Sequence, residues 1–166
     1  MLFITLKIIK FATLICLFIF TNAYALKSDS SQPINIVSNE QFADLKENKA
    51  VFSGNVEATQ GSIIIKADKA EIKRNDNGSL KSVKTFGHPT TFKQDQDDGK
   101  VIRSQSSSIE YYPQDNLIVL TGRATIWQDN SHVNGEKIEY NTLTQKLKAS
   151  NNNNQGGRVR STFIPQ

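Results

Sequence analysis

Apolar and polar residues alternate with a period of two along most of the chain, and no stretch after residue 25 has the helical spacing i, i+3, i+4, i+7. The alternating segments include 34–36, 63–67, 70–72, 109–111, 124–126, 138–140 and 147–149. Turn-forming residues interrupt them at 60–61, 75–78, 97–99, 113–116, 129–131 and 134–135. Short strands at regular spacing predict an all-β protein, and usual strand lengths allow roughly 14 to 16 strands.

An internal repeat adds to this prediction. Residues 52–60 superpose without a gap on residues 120–128, so that Gly54 matches Gly122 at an offset of 68 residues. Gly87 occupies the same place half a step between them. Because glycine inside a strand marks a bend or a bulge, a bend at a fixed period predicts an elongated, twisted roll of two facing sheets or a stacked, solenoid-like fold with open edges.

One face of each strand is then expected to point inward. The candidates for that face are Ile34, Ile36, Phe42, Val56, Ile63, Ile65, Ala70, Ile72, Val83, Phe86, Phe92, Ile109, Tyr111, Ile118, Leu120, Ile126, Ile138, Tyr140 and Leu147. The two ends of an open sheet expose unpaired strands, which we expect at 33–36 and 159–163.

The first 25 residues differ from the rest and predict a compartment. Lys7 and Lys10 precede an apolar run at 11–20, and Ala23 and Ala25 form an A-x-A site. This pattern is typical of a cleaved secretory signal peptide, and the run is too short for the about 20 residues that span a membrane. Cleavage leaves one domain, 26–166, with a polar linker or turn at 151–157.

Composition changes the picture only by exclusion. Removing the leader lowers the net charge from +4 to +2 and removes the one cysteine. The low net charge does not favour nucleic-acid binding, and the loss of the cysteine does not favour a disulfide framework.

No enzyme chemistry, metal or cofactor is expected from these residues. Nucleophilic catalysis needs a serine or cysteine beside a histidine and an orienting acid, and His88 and His132 fall at a predicted bend and turn. Glu71, Glu110 and Glu139 recur beside inward positions, so alternation places them on a solvated outer face.

Several short segments, in their order and spacing, resemble the OstA-like family. They are Gln32-Pro-Ile-Asn-Ile36, Phe52-Ser-Gly-Asn-Val56, Thr59-Gln-Gly61, Ala67-Asp-Lys69, Gly87-His-Pro-Thr-Thr-Phe92, Val119-Leu-Thr-Gly122 and Gly135-Glu-Lys-Ile-Glu-Tyr140. The resemblance covers most of residues 31–165.

The resemblance implies a twisted β-jellyroll of about sixteen antiparallel strands. It also implies a periplasmic protein that binds the lipid A acyl chains of lipopolysaccharide in an apolar groove and carries the molecule from the inner to the outer membrane. The resemblance further implies that subunits associate head to tail into a bridge between the two membranes. LptC is then expected at the N-terminal edge, and either the LptD N-terminal domain or another copy at the C-terminal edge.

The implied site residues form three sets. Family positions that face lipid fall on Ile34, Ile36, Phe92 and Tyr111, and the inward pattern extends this lipid-binding groove to Val56, Ile65, Ile72, Phe86, Leu120 and Ile126. Candidate contacts to lipid A phosphates are Arg74, Lys81 and Lys84. Candidate edge contacts are Ile34, Asn35, Ile36, Val159, Arg160, Ser161 and Phe163.

Three alternatives stay open. The groove positions share their pattern with an ordinary β-core, and the basic residues with a solvated face. A structural β-solenoid or a polysaccharide-interacting module would show the same alternation. Pro113, at a position that is apolar in the family, is expected to rearrange the strand end locally.

Overall fold

The computed structural model describes residues 29–151 and 157–164, so the predicted signal peptide and most of the predicted linker lie outside the described residues. The described residues form ten strands. These are β1 (Asn35–Val37), β2 (Glu40–Asp44), β3 (Lys49–Gln60), β4 (Ile63–Arg74), β5 (Leu80–Asp95), β6 (Val101–Tyr112), β7 (Leu117–Gln128), β8 (Ser131–Asn141), β9 (Leu147–Ser150) and β10 (Arg160–Thr162). Short 3₁₀ turns span Asp29–Ser31 and Pro113–Asp115.

All ten strands belong to one open antiparallel sheet in the order β1-β3-β4-β5-β6-β7-β8-β10, with β2 beside β3 and β9 beside β8. The all-β antiparallel prediction is therefore confirmed. The solenoid-like winding is not, because the chain reverses direction at each hairpin and pairs neighbours in a meander.

The long strands β3 to β8 each bend near their middle, where the pairing shifts register. In β3 the shift falls between Ser53 and Val56, and Gly54 there has a φ of +76°; in β7 Gly122 has a φ of +83°. Glycine adopts this left-handed backbone without the steric cost of a Cβ. The predicted glycine bends are thus present, but the strands run through them, so the described residues form ten strands and the predicted count of about sixteen is not confirmed.

The bends fold the sheet into two layers. Layer 1 contains β2, β9 and the segments 49–53, 69–74, 80–86, 108–112, 117–121 and 137–141. Layer 2 contains β1, β10 and the segments 56–60, 63–67, 90–95, 101–106, 124–128 and 131–135. The layers face each other: the ring centroids of Phe92 in layer 2 and Tyr140 in layer 1 are 6.3 Å apart.

The main apolar core lies between the layers. Its buried residues are Ala58, Ile63, Ile65, Val83, Phe92, Ile102, Ile109, Tyr111, Ile118, Leu120, Ala124, Ile126, Ile138 and Tyr140. A smaller cluster of Phe52, Val56, Ala67 and Ala70 lies near the bends of β3 and β4. Opposite the bends, the hairpin turns of the two layers approach each other along a line that we call the open rim.

Phe42 and Leu147, both predicted to point inward, are exposed on edge strands. Phe42 is 68% exposed, because Gln41 is the register partner of buried Phe52 and takes the inward position on β2. Leu147 pairs with buried Tyr140 but is 40% exposed, because β9 is an edge strand with no neighbour to cover it. Among the described residues, no helix is long and apolar enough to cross a membrane.

Candidate functional site

A cavity of about 800 Å³ opens at the N-terminal end of the folded sheet. Apolar side chains form its floor: Ile34, Ile36, Phe52, Ile72, Leu80 and Pro113. Polar residues surround them: Ser30, Gln32, Gln41, Gln60, Arg74, Gln114 and Asn116. An apolar floor with a polar rim suits an amphipathic ligand whose hydrocarbon part is buried while its head group stays hydrated.

Local strand geometry explains why these side chains converge. Ile34 and Ile36 are two residues apart on one face of the N-terminal segment, and Ile36 pairs with Ala58 of β3. Both isoleucines are half-buried and pack against the core without being enclosed by it. β1 is an edge strand of three residues, so the space beyond it is open to solvent.

Pro113 closes another side of the cavity. β6 ends at Tyr112, and Pro113 opens the 3₁₀ turn that follows, a position where its missing N–H needs no partner. The proline is buried and lines the cavity as an apolar wall. The predicted local rearrangement at the strand end is therefore this turn.

Most of the predicted groove residues lie in the closed core. Val56, Ile65, Phe92, Tyr111, Leu120 and Ile126 are each at most 4% exposed. Only Ile34, Ile36 and Ile72 of the predicted set line the cavity. The cavity thus continues into an apolar interior that is filled by side chains.

Phe86 does not face the interior, so its prediction as an inward residue was wrong. Val83 and Thr85 are buried on the inward face of β5, and Phe86 follows on the opposite face. There the Lys84 Nζ lies 5.6 Å from the Phe86 ring centroid. The register shift of β5 comes after Phe86, so nothing restores it to the inward face.

The three predicted phosphate-contacting residues do not form one group. Arg74 lies at the cavity mouth and Lys81 is exposed at the start of β5. Lys84 lies on the outer face, where its Nζ is 3.7 Å from a Glu110 carboxylate oxygen. Lys84 therefore does not line this cavity, and its contact with lipid A phosphates stays a prediction.

The outer face carries paired charges, as predicted for a solvated surface. The Lys69 and Lys137 ammonium groups lie 2.7 Å and 2.6 Å from Glu71 and Glu139, respectively. These hydrogen bonds hold the pKa of both carboxyl groups below the usual value. Within residues 29–151 and 157–164, no group of His, Cys, Asp or Glu residues has the clustering that a metal ion needs.

Polar side chains bridge the two layers along the open rim, which the alternation pattern did not reveal. The Tyr111 hydroxyl donates to Gln60 Oε1 at 2.7 Å, and Gln60 Nε2 donates to the Gln32 carbonyl at 2.9 Å. Burial raises the pKa of Tyr111 above its usual range, so the hydroxyl keeps its proton and remains a donor. One sequence signal existed: Gln60 matches Gln128 in the repeat, at the end of an alternating segment.

A second group lies further along the rim. The Tyr140 hydroxyl donates to Gln94 Oε1 and accepts from Gln96 Nε2, each at 3.3 Å. Gln94 Nε2 in turn donates to the Asp29 carboxylate at 2.9 Å. We call the side chains of Asp29, Gln60, Gln94, Gln96, Tyr111 and Tyr140 the rim network.

Large exposed apolar side chains cluster at the two ends of the sheet. Val37, Phe42 and Leu45 lie at or just beyond β1 and β2. Leu143, Leu147, Val159, Phe163 and Ile164 lie around β9 and β10, beside a smaller cavity of about 280 Å³. Of the predicted edge residues, Asn35 and Ile36 lie in β1 and Arg160 and Ser161 in β10, while Ile34, Val159 and Phe163 flank these strands.

Comparisons with known proteins agree with this architecture. The family described as LptA/(LptD N-terminal domain) LPS transport protein matches residues 35–146. The chain is 40% identical to the lipopolysaccharide export system protein LptA of Haemophilus influenzae, over 87% of this chain and 84% of that protein. It is 38% identical to LptA of Escherichia coli K12, over 86% of this chain and 77% of that protein.

A solved structure is similar as well. The crystal structure of LptH, described as the LptA-homologous periplasmic component of the lipopolysaccharide transport device of Pseudomonas aeruginosa, superposes with a TM-score of 0.76. The match is 28% identical and covers 84% of this chain and all of that one.

Proposed function

The chain belongs to the LptA/(LptD N-terminal domain) family of LPS transport proteins, and from that premise we propose that it binds lipopolysaccharide through the lipid A acyl chains and carries it from the inner to the outer membrane. It is a transport protein and not an enzyme, as its relatives are. The observation that carries the proposal is the cavity of about 800 Å³ with an apolar floor and a polar rim.

Transfer free energies explain why a carrier is needed. Each acyl CH₂ contributes about 0.8 kcal/mol to burial away from water. By that increment, exposing a chain of about twelve carbons costs on the order of 10 kcal/mol, and lipid A has several chains. An apolar interior removes most of this cost while the sugars stay hydrated.

The proposed binding site begins at the cavity and extends between the layers. Ile34, Ile36 and Ile72 form its accessible part, and the buried side chains of the predicted groove become accessible only when the layers separate. Arg74 at the mouth, with Lys81 nearby on the surface, supplies positive charge for lipid A phosphates.

The proposed location is the periplasm. The relatives are export system proteins, and LptH is described as a periplasmic component. The basic and apolar pattern of residues 1–25 supports export by a cleaved signal peptide.

The sheet edges support a bridge of several chains. Antiparallel layers that end in short strands with exposed apolar neighbours can accept another strand at each end. We expect LptC at the N-terminal edge and the LptD N-terminal domain or a second copy at the C-terminal edge, so that the two layers of a jellyroll continue from chain to chain. A structural β-solenoid is not favoured, because the chain runs as an antiparallel meander.

A photo-cross-linker at Ile36 tests the site in living cells. Because Ile36 is half-buried in the cavity, we expect it to capture lipopolysaccharide, whereas the same cross-linker at Glu71 on the outer face does not. Equal capture at both positions, or none at Ile36, contradicts the proposed site. Depletion of the protein should in addition leave newly made lipopolysaccharide at the inner membrane.

A further inference from the structure

The folded sheet is closed along both of its long sides. One side is closed covalently, since β3 to β8 run through the bends from one layer into the other. The opposite side is the open rim, where only hairpin turns meet. The rim residues are nevertheless buried: Tyr111 is 2% exposed, Gln60 5% and Gln94 6%.

Hydrogen bonds between side chains close this rim. Tyr111 and Tyr140 come from layer 1, and their hydroxyl groups bond to Gln60, Gln94 and Gln96 of layer 2. These residues come from strand ends of both layers, so the bonds cross between the layers where no strand connects them.

The N-terminal 3₁₀ turn lies along the same line and is bonded to layer 2. The Asp29 carboxylate accepts hydrogen bonds from the Ser62 amide at 2.7 Å, the Ser62 hydroxyl at 2.9 Å and Gln94 Nε2 at 2.9 Å. Gln94 Nε2 also donates to the Thr142 carbonyl of the opposite rim at 3.3 Å. The turn is thus held to layer 2, beside a bond that reaches the turns of layer 1.

The chemistry of this closure makes it easier to open than the core. Separating apolar surfaces exposes them to water, which costs about 25 cal/mol of free energy per Å². Separating hydrogen-bonded amides and hydroxyls exposes groups that water satisfies in turn, so each such bond contributes little net stability. The hydrogen bonds between glutamine and tyrosine can therefore break while the bends and the strand pairing stay intact. The apolar surface that this opening exposes, including the rings of Tyr111 and Tyr140, would be covered by the entering acyl chains.

We propose that the rim network is a gate for lipid entry: breaking the Tyr111–Gln60 and Tyr140–Gln94 contacts separates the layers and admits acyl chains sideways into the interior. This inference rests on the proposed function. Tyr111 and Gln60 act as positioning residues of the closed state, and the cavity at the N-terminal end is where the separation begins, since Gln60 also lines it.

Loading kinetics test the gate. Purified protein is mixed with fluorescent lipid A in detergent micelles, and the association rate is followed by stopped flow. Tyr111→Phe keeps the buried ring and removes the hydroxyl, so the open population should rise, and the rate with it, about fivefold, the factor that corresponds to one typical hydrogen bond. Tyr112→Phe is the matched control, because Tyr112 is half-exposed on the outer face beside Glu110, and its rate should not change.

A second variant keeps the test decisive if Tyr111→Phe fails to fold. Tyr140→Phe removes the hydroxyl that bonds to Gln94 and Gln96 across the layers and leaves every strand pairing in place, so it should also raise the rate by fivefold or more. Unchanged rates in both variants, with a wild-type protein that loads lipid A, overturn the gate and leave the carrier function standing. A wild-type protein that loads no lipid A overturns the proposed function and the gate together.

Discussion

Individual side chains follow the period-two pattern wherever a strand has neighbours on both sides. Ile63, Ile65 and Leu120 were predicted to face inward and are at most 2% exposed. Phe86 fails because Val83 and Phe86 are three residues apart, a spacing that alternation allows only across a bulge, and the bulge of β5 comes after both. Whether a side chain faces inward or outward is therefore predictable, except where the position of a bend decides it.

The buried leucines and the edge leucines should differ sharply in their contribution to stability. Leu120→Ala removes a side chain that is 0% exposed, and we expect a loss of about 2–5 kcal/mol in the free energy of unfolding, measured by urea denaturation. Leu147→Ala makes the same change at a residue that is 40% exposed and should cost less than about 1 kcal/mol. Similar losses for the two variants would be inconsistent with a core between the layers.

At the scale of the strands, the sequence predicts the alternating strands and the glycine bends. It does not predict that the long strands continue through those bends. Gly54 and Gly122 mark the bends of β3 and β7, as the repeat indicated. Other bends have no such mark: β4 shifts register between Lys66 and Lys69, and β6 between Gln105 and Ser108. The prediction of 14 to 16 strands used usual strand lengths, whereas β3 to β8 have 11 to 16 residues each.

Gly122 should tolerate a side chain poorly for two separable reasons. Its φ of +83° is unfavourable for alanine, and an added Cβ would lie 2.7 Å from Ser107 Oγ and 2.9 Å from Ser107 Cβ. Gly99 has a similar φ of +81° with nothing within 4 Å. We expect Gly99→Ala to cost about 1 kcal/mol, from the backbone alone.

Gly122→Ala adds the steric contact to that backbone cost. Overpacking of this kind costs about 1–3 kcal/mol, so the total loss should exceed that of Gly99→Ala by this amount. Thermal or urea unfolding of the two variants gives the difference directly. Equal losses would show that the bend of β7 yields to a methyl group.

For the whole molecule, the prediction of an open sheet with two different ends agrees with the described strands, whereas the cavity could not be read from the pattern. Its polar wall consists of turn and edge residues such as Gln41, Gln60 and Gln114, which no periodicity identifies. Whether a side chain is buried in the core or lines the cavity depends on the distance between the two layers. That distance is set only in the assembled fold.

Two edge variants should reveal whether copies associate head to tail. Phe42→Glu places a charge on the N-terminal end, and Phe163→Glu on the C-terminal end, at residues that are 68% and 76% exposed. If unlike ends join, each variant alone stays monomeric at concentrations where the wild type forms longer species. An equimolar mixture should form dimers and stop there, because each variant retains one intact end.

Mass photometry or sedimentation measures these species, and Gln105→Glu in the middle of β6 is the control that should associate as the wild type does. Dimers of either variant alone would indicate association of like ends.

The meander order described above also determines how the chain can fold. From β3 to β8, every strand pairs with the strand that precedes it, so each new hairpin needs only short loops to close. A chain that appears from its N-terminus can add strands one after another, without waiting for a distant partner. The contacts across the rim join residues as far apart as Gln60 and Tyr111, 51 positions along the chain, and form only after these hairpins exist. The same bonds that close the finished molecule are thus among the last to be made, and a slow kinetic phase sensitive to Tyr111 but not to Tyr112 is the expected signature of that final step.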